Sequence, residues 1–310
     1  MEVSKRVFIT GLTGFAGKHL SQYLEKEGFE VYGTSWPEKV EKERIFWLDL
    51  RNGRKLKKIL KDINPDWIFH LAALSHVGES WKNVKRTVST NFISTLNLFE
   101  SASNLSRNPK ILFVSSAEVY GYVKKENMPV KENHPTNPLN PYAFSKLLGE
   151  ILSSLYNSLG MEIYVVRPFN YTGPGQNPKF VCSDFAYQIA MIEKGKRKPE
   201  IRVGNLSVRR DFTDVRDVVM AFKIIIEKGE KGSPYNICSG KSYSIEEILQ
   251  TLLRFSKEKI EIIKDEKRFR KADVPEIYGD YSKLKKLGWK PSIPIEKTLE
   301  DIINFWRERV

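Results

Sequence analysis

Arg6-Val7-Phe8-Ile9-Thr10-Gly11-Leu12-Thr13-Gly14-Phe15-Ala16-Gly17-Lys18-His19-Leu20 is the stretch on which the fold turns. An apolar run of strand length meets a glycine-rich turn, and the turn opens onto helical spacing at Leu20, Tyr23 and Leu24. Gly11, Gly14 and Gly17 recur at three-residue intervals. That spacing lets the backbone turn tightly, admits a pyrophosphate close to the main chain and lets a helix pack on a strand. The N-terminus of such a helix offers unpaired N–H groups and a positive dipole end. A tight turn without a ligand is the plainer alternative. The strand before the turn and the helix after it favour a dinucleotide site, with Thr13, Phe15 and Ala16 beside the glycines.

Beyond the turn, strand and helix signals alternate. Strands are expected over 28–34, 45–50, 67–73, 110–115 and 162–167, and helices over 54–63, 84–104 and 141–159. The run Trp67 to Ala73 is apolar throughout, as a strand buried on both faces must be. This alternation predicts a parallel, doubly wound α/β sheet with right-handed crossovers. The second half is less regular. Pro168 to Gly175 reads as a loop, followed by a helix over 183–194. A helix over 215–227 and a strand over 234–238 are expected to return to the sheet, and helices over 245–255 and 295–308 complete the chain. The expected division is a dinucleotide-binding domain of residues 1–168 and 211–238, and a smaller substrate domain of 169–210 and 239–310.

Composition bounds the function. The chain has 310 residues, 41% of them hydrophobic and 29% charged, as a soluble globular protein does. No apolar run reaches the roughly 20 residues of a membrane helix, and no leader pattern follows Met1, so the expectation is a cytoplasmic protein with no membrane partner. Two cysteines, Cys182 and Cys238, give no disulfide framework. The four histidines show no metal-ligand spacing, and no metal is expected. The net charge of +13 is spread over helix faces, as at Lys55, Lys57, Lys58 and Lys61, and is mixed with acids. A solvated surface explains it first, an anionic small ligand second and nucleic acid last.

Asn140-Pro141-Tyr142-Ala143-Phe144-Ser145-Lys146 sets Tyr142 and Lys146 one helical turn apart on one face. A lysine ammonium beside a phenol is expected to lower the tyrosine pKa and make it a general acid or base. The lysine can also hold a ribose. An ordinary packed tyrosine with a surface lysine is the alternative. Against it stands Ser115-Ser116-Ala117-Glu118, just past a strand end where ligands of doubly wound sheets sit. Ser116 can hydrogen-bond a carbonyl oxygen. Glu118 is either a second acid/base or a surface carboxylate.

The glycine turn, Ser116 and the Tyr142–Lys146 pair together resemble the extended short-chain dehydrogenase/reductase family of nucleotide-sugar enzymes, over essentially the whole chain. The resemblance implies an NAD(P)-binding Rossmann domain. It places Asp49 and Leu50 beside the adenine, and Leu71, Ala72 and Ala73 along the cofactor. Arg167 to Gln176, Phe180 to Phe185, Gly204 to Asp217 and Arg270-Lys271-Ala272-Asp273-Val274-Pro275 resemble the GDP-sugar branch, and within it the GDP-6-deoxy-D-mannose reductases most. That implies a GDP-linked sugar substrate, with Asn170 on sugar or phosphate, Arg210 and Arg270 on the pyrophosphate, and Asp273 among the substrate contacts. An arginine fork suits phosphate oxygens. A salt bridge of Arg210 with Asp211 or Asp214 is the alternative. The family further implies a homodimer through a four-helix bundle of the helices starting near Val84 and Pro141.

After the second strand, Thr34 and Ser35 stand where NAD users carry an acid, and Trp36-Pro37 stand where NADP users often carry an arginine. The cofactor is therefore NADP(H) in preference to NAD(H), with either open. The expected reaction is reduction of the C4 ketone of GDP-4-dehydro-6-deoxy-D-mannose to GDP-6-deoxy-D-mannose. Ser116 and Glu118 equally suit the GDP-mannose 4,6-dehydratases, which, with other nucleotide-sugar epimerases or dehydratases, are the alternative enzymes. A dinucleotide-sensing protein is the non-catalytic one.

Overall fold

The computed structural model describes residues 4–40, 42–268 and 274–310. Its first half runs β1 (Arg6–Thr10), α1 (Phe15–Lys26), β2 (Glu30–Ser35), β3 (Ile45–Trp47), α2 (Gly53–Ile63), β4 (Trp67–His70), α3 (Val77–Lys82), α4 (Val84–Ala102), β5 (Lys110–Val114), α5 (Pro141–Ser158) and β6 (Glu162–Pro168). The second half continues with β7 (Asn170–Thr172), α6 (Val181–Glu193), β8 (Glu200–Val203), β9 (Arg209–Arg210), β10 (Phe212–Asp214), α7 (Val215–Lys228) and β11 (Tyr235–Ile237). It ends with β12 (Tyr243–Ser244), α8 (Ile245–Arg254), β13 (Glu261–Lys264), β14 (Glu276–Ile277), α9 (Ser282–Lys285) and α10 (Ile295–Arg307).

Seven strands form one parallel sheet in the order β11-β6-β5-β4-β1-β2-β3. This is a Rossmann-type fold. Alternation along β1 sends Val7 and Ile9 to one face, where they pack with Leu20, Leu24, Phe222 and Ile225 of α1 and α7. Phe8 faces the other side, against Leu56, Phe99 and Phe113. Both faces are covered, so the strands are apolar at nearly every position, which is why they read as continuous runs. A separate cluster joins α6, α8 and α10 through Phe185, Ile189, Leu249, Leu252, Leu299 and Ile302.

The segment Pro168 to Gly175, expected as a loop, contains β7, which pairs in parallel with β10. Two further small pairings also escaped the sequence: β8 with β13, and β9 between β12 and β14. Strands of two to four residues are too short to show alternation, and their partners lie far away in the chain. The short helix α3 was missed for the same reason. Its cap is His76, whose Nδ1 accepts from the Glu79 N–H at 3.0 Å. No described helix is long and apolar enough to cross a membrane.

Candidate active site

The strand order reverses between β4 and β1, and beyond their carboxyl ends lies a cleft of about 460 Å³. Gly11 ends β1 with φ +70°, and a Cβ there would stand 3.1 Å from the Ala72 backbone. At Gly17 a Cβ would lie 2.6 Å from the Leu12 carbonyl oxygen and closer still to that of Gly11. Only glycine lets α1 start this near the strand. No side chain caps α1 at Gly14 and no acid occupies its first turn. Its N–H groups and dipole are thus directed at the cleft, which Thr13, Phe15 and Ala16 line with the glycines. These features fit a dinucleotide pyrophosphate.

Beside the glycine turn, Thr34 Oγ1 accepts the Gly11 N–H at 3.0 Å. Ser35 is completely buried, its hydroxyl is unpartnered, and it does not line the cleft; Trp36 and Pro37 do. Asp49 and Leu50 stand opposite. Arg51 holds Asp49 through Nε at 3.0 Å, and that hydrogen bond keeps the carboxyl below the usual range. Leu71, Ala72 and Ala73 line the wall beyond β4.

Ser116, Glu118, Tyr142 and Lys146 all line the same cleft. Ser116 opens a 3₁₀ turn, and its Oγ accepts the Glu118 N–H at 3.2 Å. Asn140 caps α5 by accepting the Ala143 N–H at 2.8 Å, while its amide donates to Glu118 Oε2 at 2.9 Å. One side chain therefore sets both the carboxylate and the helix that carries Tyr142. The electrostatics differ from the sequence expectation. Burial pushes the Tyr142 phenol up, with Tyr171 and Glu118 adding and a hydrogen bond from Ser116 opposing. The Lys146 ammonium donates to the Val114 carbonyl at 2.7 Å, and burial pulls it down to about 7. Burial thus moves the phenol in the direction opposite to the one expected from a neighbouring lysine. A phenol is protonated at neutral pH even at its ordinary value, so the proton that a donor needs is present.

A buried hydrogen-bond chain connects the glycine turn to α5. Ala72 N–H donates to Thr10 Oγ1 (3.2 Å), Thr10 Oγ1 meets His70 Nδ1 (2.8 Å), and His70 Nε2 meets Thr95 Oγ1 (3.0 Å). Thr95 donates to the Asn91 carbonyl (2.8 Å) and so can only accept from His70, which fixes the proton on Nε2. Burial pulls the imidazole down to about 3, leaving it neutral. Asn91 then binds Ser145 Oγ (2.9 Å), and Ser145 donates to the Tyr142 carbonyl (2.7 Å).

Asn170, on β7, and Arg210, on β9, enter the cleft from the other side. Arg210 Nη1 donates to the carbonyls of Arg209 and Val274 at 2.8 and 2.7 Å. Asp214 is bound by Arg216 (2.7 Å) and Thr298 (2.7 Å), and Asp211 by Ser239 and Gly240. Arg270 and Asp273 lie outside the described residues. Sequence reasoning missed His76, Arg86, Asn91, Tyr171 and Phe180, all of which line the cleft. Tyr171 and Phe180 carried a signal, as members of the Arg167-to-Gln176 and Phe180-to-Phe185 strings; Tyr171 stacks on Phe15 at 6.0 Å. No group of metal-ligating side chains is found among the described residues.

Residues 8–302 match the family model described as GDP-mannose 4,6 dehydratase. The chain belongs to that family. It is thereby an extended short-chain dehydrogenase/reductase, as the motifs implied. Among relatives of the family, the GDP-6-deoxy-D-mannose reductase of Pseudomonas aeruginosa is 36% identical, over 99% of each chain. The GDP-6-deoxy-D-talose 4-dehydrogenase of Aggregatibacter actinomycetemcomitans is 34% identical over 90% of each. A solved structure of RMD from Pseudomonas aeruginosa, complexed with NADPH, superposes with a TM-score of 0.88 at 35% identity, covering 99% of this chain and all of that one.

Because the Lys146 pKa is depressed when folded, the unfolded chain binds the extra proton between about pH 7 and the ordinary lysine value. Folding stability from this group therefore rises with pH across that window. Urea unfolding of wild type and Lys146→Met at pH 7 and pH 9.5 checks it. Wild type should gain on the variant at the higher pH, and parallel changes would refute the buried, depressed lysine.

Proposed function

We propose that the protein reduces the C4 ketone of GDP-4-dehydro-6-deoxy-D-mannose to the alcohol of GDP-6-deoxy-D-mannose. The observation that carries this reading is the convergence of Tyr142 and Ser116 on a cleft that also holds the glycine turn at one end and Arg210 at the other. The glycine turn and the start of α1 would hold the pyrophosphate of a nicotinamide dinucleotide, and Lys146 its ribose. When bound, the reduced nicotinamide supplies the hydride. Tyr142, a phenol protonated at neutral pH, gives its proton to the developing alkoxide, and Ser116 donates a hydrogen bond to the same oxygen. Asn170 and Arg210 hold the sugar nucleotide, Arg210 as a fork on the diphosphate. Arg270 and Asp273 are proposed on the same side from motif alone. The name of the Pseudomonas aeruginosa relative, GDP-6-deoxy-D-mannose reductase, supports the substrate assignment.

Residues 1–168 with 211–238 are proposed to bind the dinucleotide, and 169–210 with 239–310 the sugar nucleotide. NADP(H) is the proposed cofactor in preference to NAD(H), because no acid at the end of β2 repels a 2′-phosphate. The dehydratase alternative returns its hydride to the same sugar and gains nothing from releasing the cofactor. The absence of a basic pair after β2 leaves no ion pair there to retain the cofactor between turnovers, which favours the reductase. Incubation with GDP-4-dehydro-6-deoxy-D-mannose should consume NADPH stoichiometrically, and NADH no more efficiently, to yield a 6-deoxyhexose. GDP-mannose alone should give no 4-keto sugar. Conversion of GDP-mannose without added reductant would establish the dehydratase instead.

The proposed assembly is a homodimer through α4 and α5. Phe144, Ile151 and Leu155 of α5 and Val84 and Ile93 of α4 are exposed, whereas Leu152 is spent on the sheet. Light scattering at micromolar concentration should return twice the 35.9 kDa of one chain; a particle of 35.9 kDa would refute the dimer.

A further inference from the structure

At the end of β2 the cleft is bounded by Thr34, Trp36, Pro37, Leu48, Asp49 and Leu50. These six include one carboxylate and no cation. The cations that line the described cleft are Arg86, Lys146 and Arg210, all on later elements. Arg51, the nearest basic residue in sequence to this rim, has Nε and Nη2 on Asp49. The rim therefore lacks the two charged devices that select between dinucleotides, an acid for the ribose diol and a dedicated arginine for a 2′-phosphate.

It has an aromatic device in their place. Trp36 is 49% exposed, and its indole stacks on that of Trp47 with centroids 5.3 Å apart and planes 29° from parallel. Trp47 is fixed in turn. Its indole N–H donates to the Pro37 carbonyl at 3.0 Å, and its own carbonyl accepts Lys55 Nζ at 3.1 Å. The hydrogen bond closes a loop from β3 back to the residue after Trp36, so the stacked pair is braced from both strands. A large exposed aromatic on a ligand cleft, already held in one orientation, loses little conformational entropy when a ring stacks on it.

We propose that Trp36 is the stacking platform for the adenine ring of the dinucleotide, buttressed by Trp47. This rests on the dinucleotide-dependent reading above and assigns a residue for the adenosine half. Stacking on a purine is indifferent to a phosphate on the neighbouring ribose. Affinity from this contact is consequently shared by NADP(H) and NAD(H), and Trp36 sets how tightly a dinucleotide binds without choosing between the two.

The test measures binding without any sugar nucleotide, by calorimetric titration of NADPH, NADH and ADP-ribose. Base–aromatic stacking of about 1–3 kcal/mol corresponds to about five- to 150-fold in affinity. Trp36→Ala should weaken all three ligands by about tenfold with the NADPH-to-NADH ratio unchanged. Trp36→Phe should stay within about threefold of wild type, and Trp47→Ala should weaken all three by less than Trp36→Ala does. Urea unfolding of the variants without ligand should match wild type for the exposed Trp36. Unchanged ADP-ribose affinity in Trp36→Ala, or a loss confined to one dinucleotide, overturns the proposal. Failure of the reductase reading looks different: tight dinucleotide binding in wild type with no reduction of the keto sugar.

Discussion

The buried chain from Thr10 through His70, Thr95, Asn91 and Ser145 to Tyr142 is the constraint on which the arrangement of this site depends. It runs from the end of β1 to the first turn of α5 and thus spans the two halves of the proposed chemistry. Each member is buried, so a broken link leaves a polar group without water and costs about 1–3 kcal/mol. The neutral imidazole of His70 is the joint. A proton added to Nδ1 would remove the acceptor that Thr10 uses, and burial keeps that proton off. Placement of Tyr142 relative to the glycine turn is thereby fixed by hydrogen bonds in addition to sheet packing.

Around that joint, charge is used sparingly. The chain carries a net charge of +13, yet three cations line the described cleft and only two carboxylates, Asp49 and Glu118, do so. Both carboxylates are restrained, Asp49 by Arg51 and Glu118 by Asn140. Tyr142 and Lys146 are governed by desolvation, which raises the phenol and pulls the ammonium down to about 7. A site of this kind suits the proposed neutral proton donor acting on an uncharged carbonyl.

Much of this was legible in the sequence. The glycine spacing at Gly11, Gly14 and Gly17 and the apolar runs of β1 and β4 report local geometry, so the parallel sheet followed from them. The stretch from Asn140 to Lys146 reported Tyr142 and Lys146 one helical turn apart on one face. Three things were not legible. β7 is too short to show a period and exists because Phe212–Asp214 pairs with it from 42 residues further along the chain. The direction of the Tyr142 shift depends on burial, which spacing does not encode. Ser35 and Trp36 are adjacent, yet Ser35 is turned into the packing and Trp36 stands on the cleft rim, a difference of one residue that the motif does not encode.

The most direct measurement follows a label in one turnover. NADPH deuterated at the reactive C4 of its nicotinamide is mixed with GDP-4-dehydro-6-deoxy-D-mannose and either wild-type protein or Tyr142→Phe. The account predicts deuterium at C4 of the product sugar. It also predicts that Tyr142→Phe slows the transfer by about 100-fold or more while binding NADPH as wild type does. Deuterium at any other sugar carbon, or transfer at the wild-type rate in Tyr142→Phe, would contradict it.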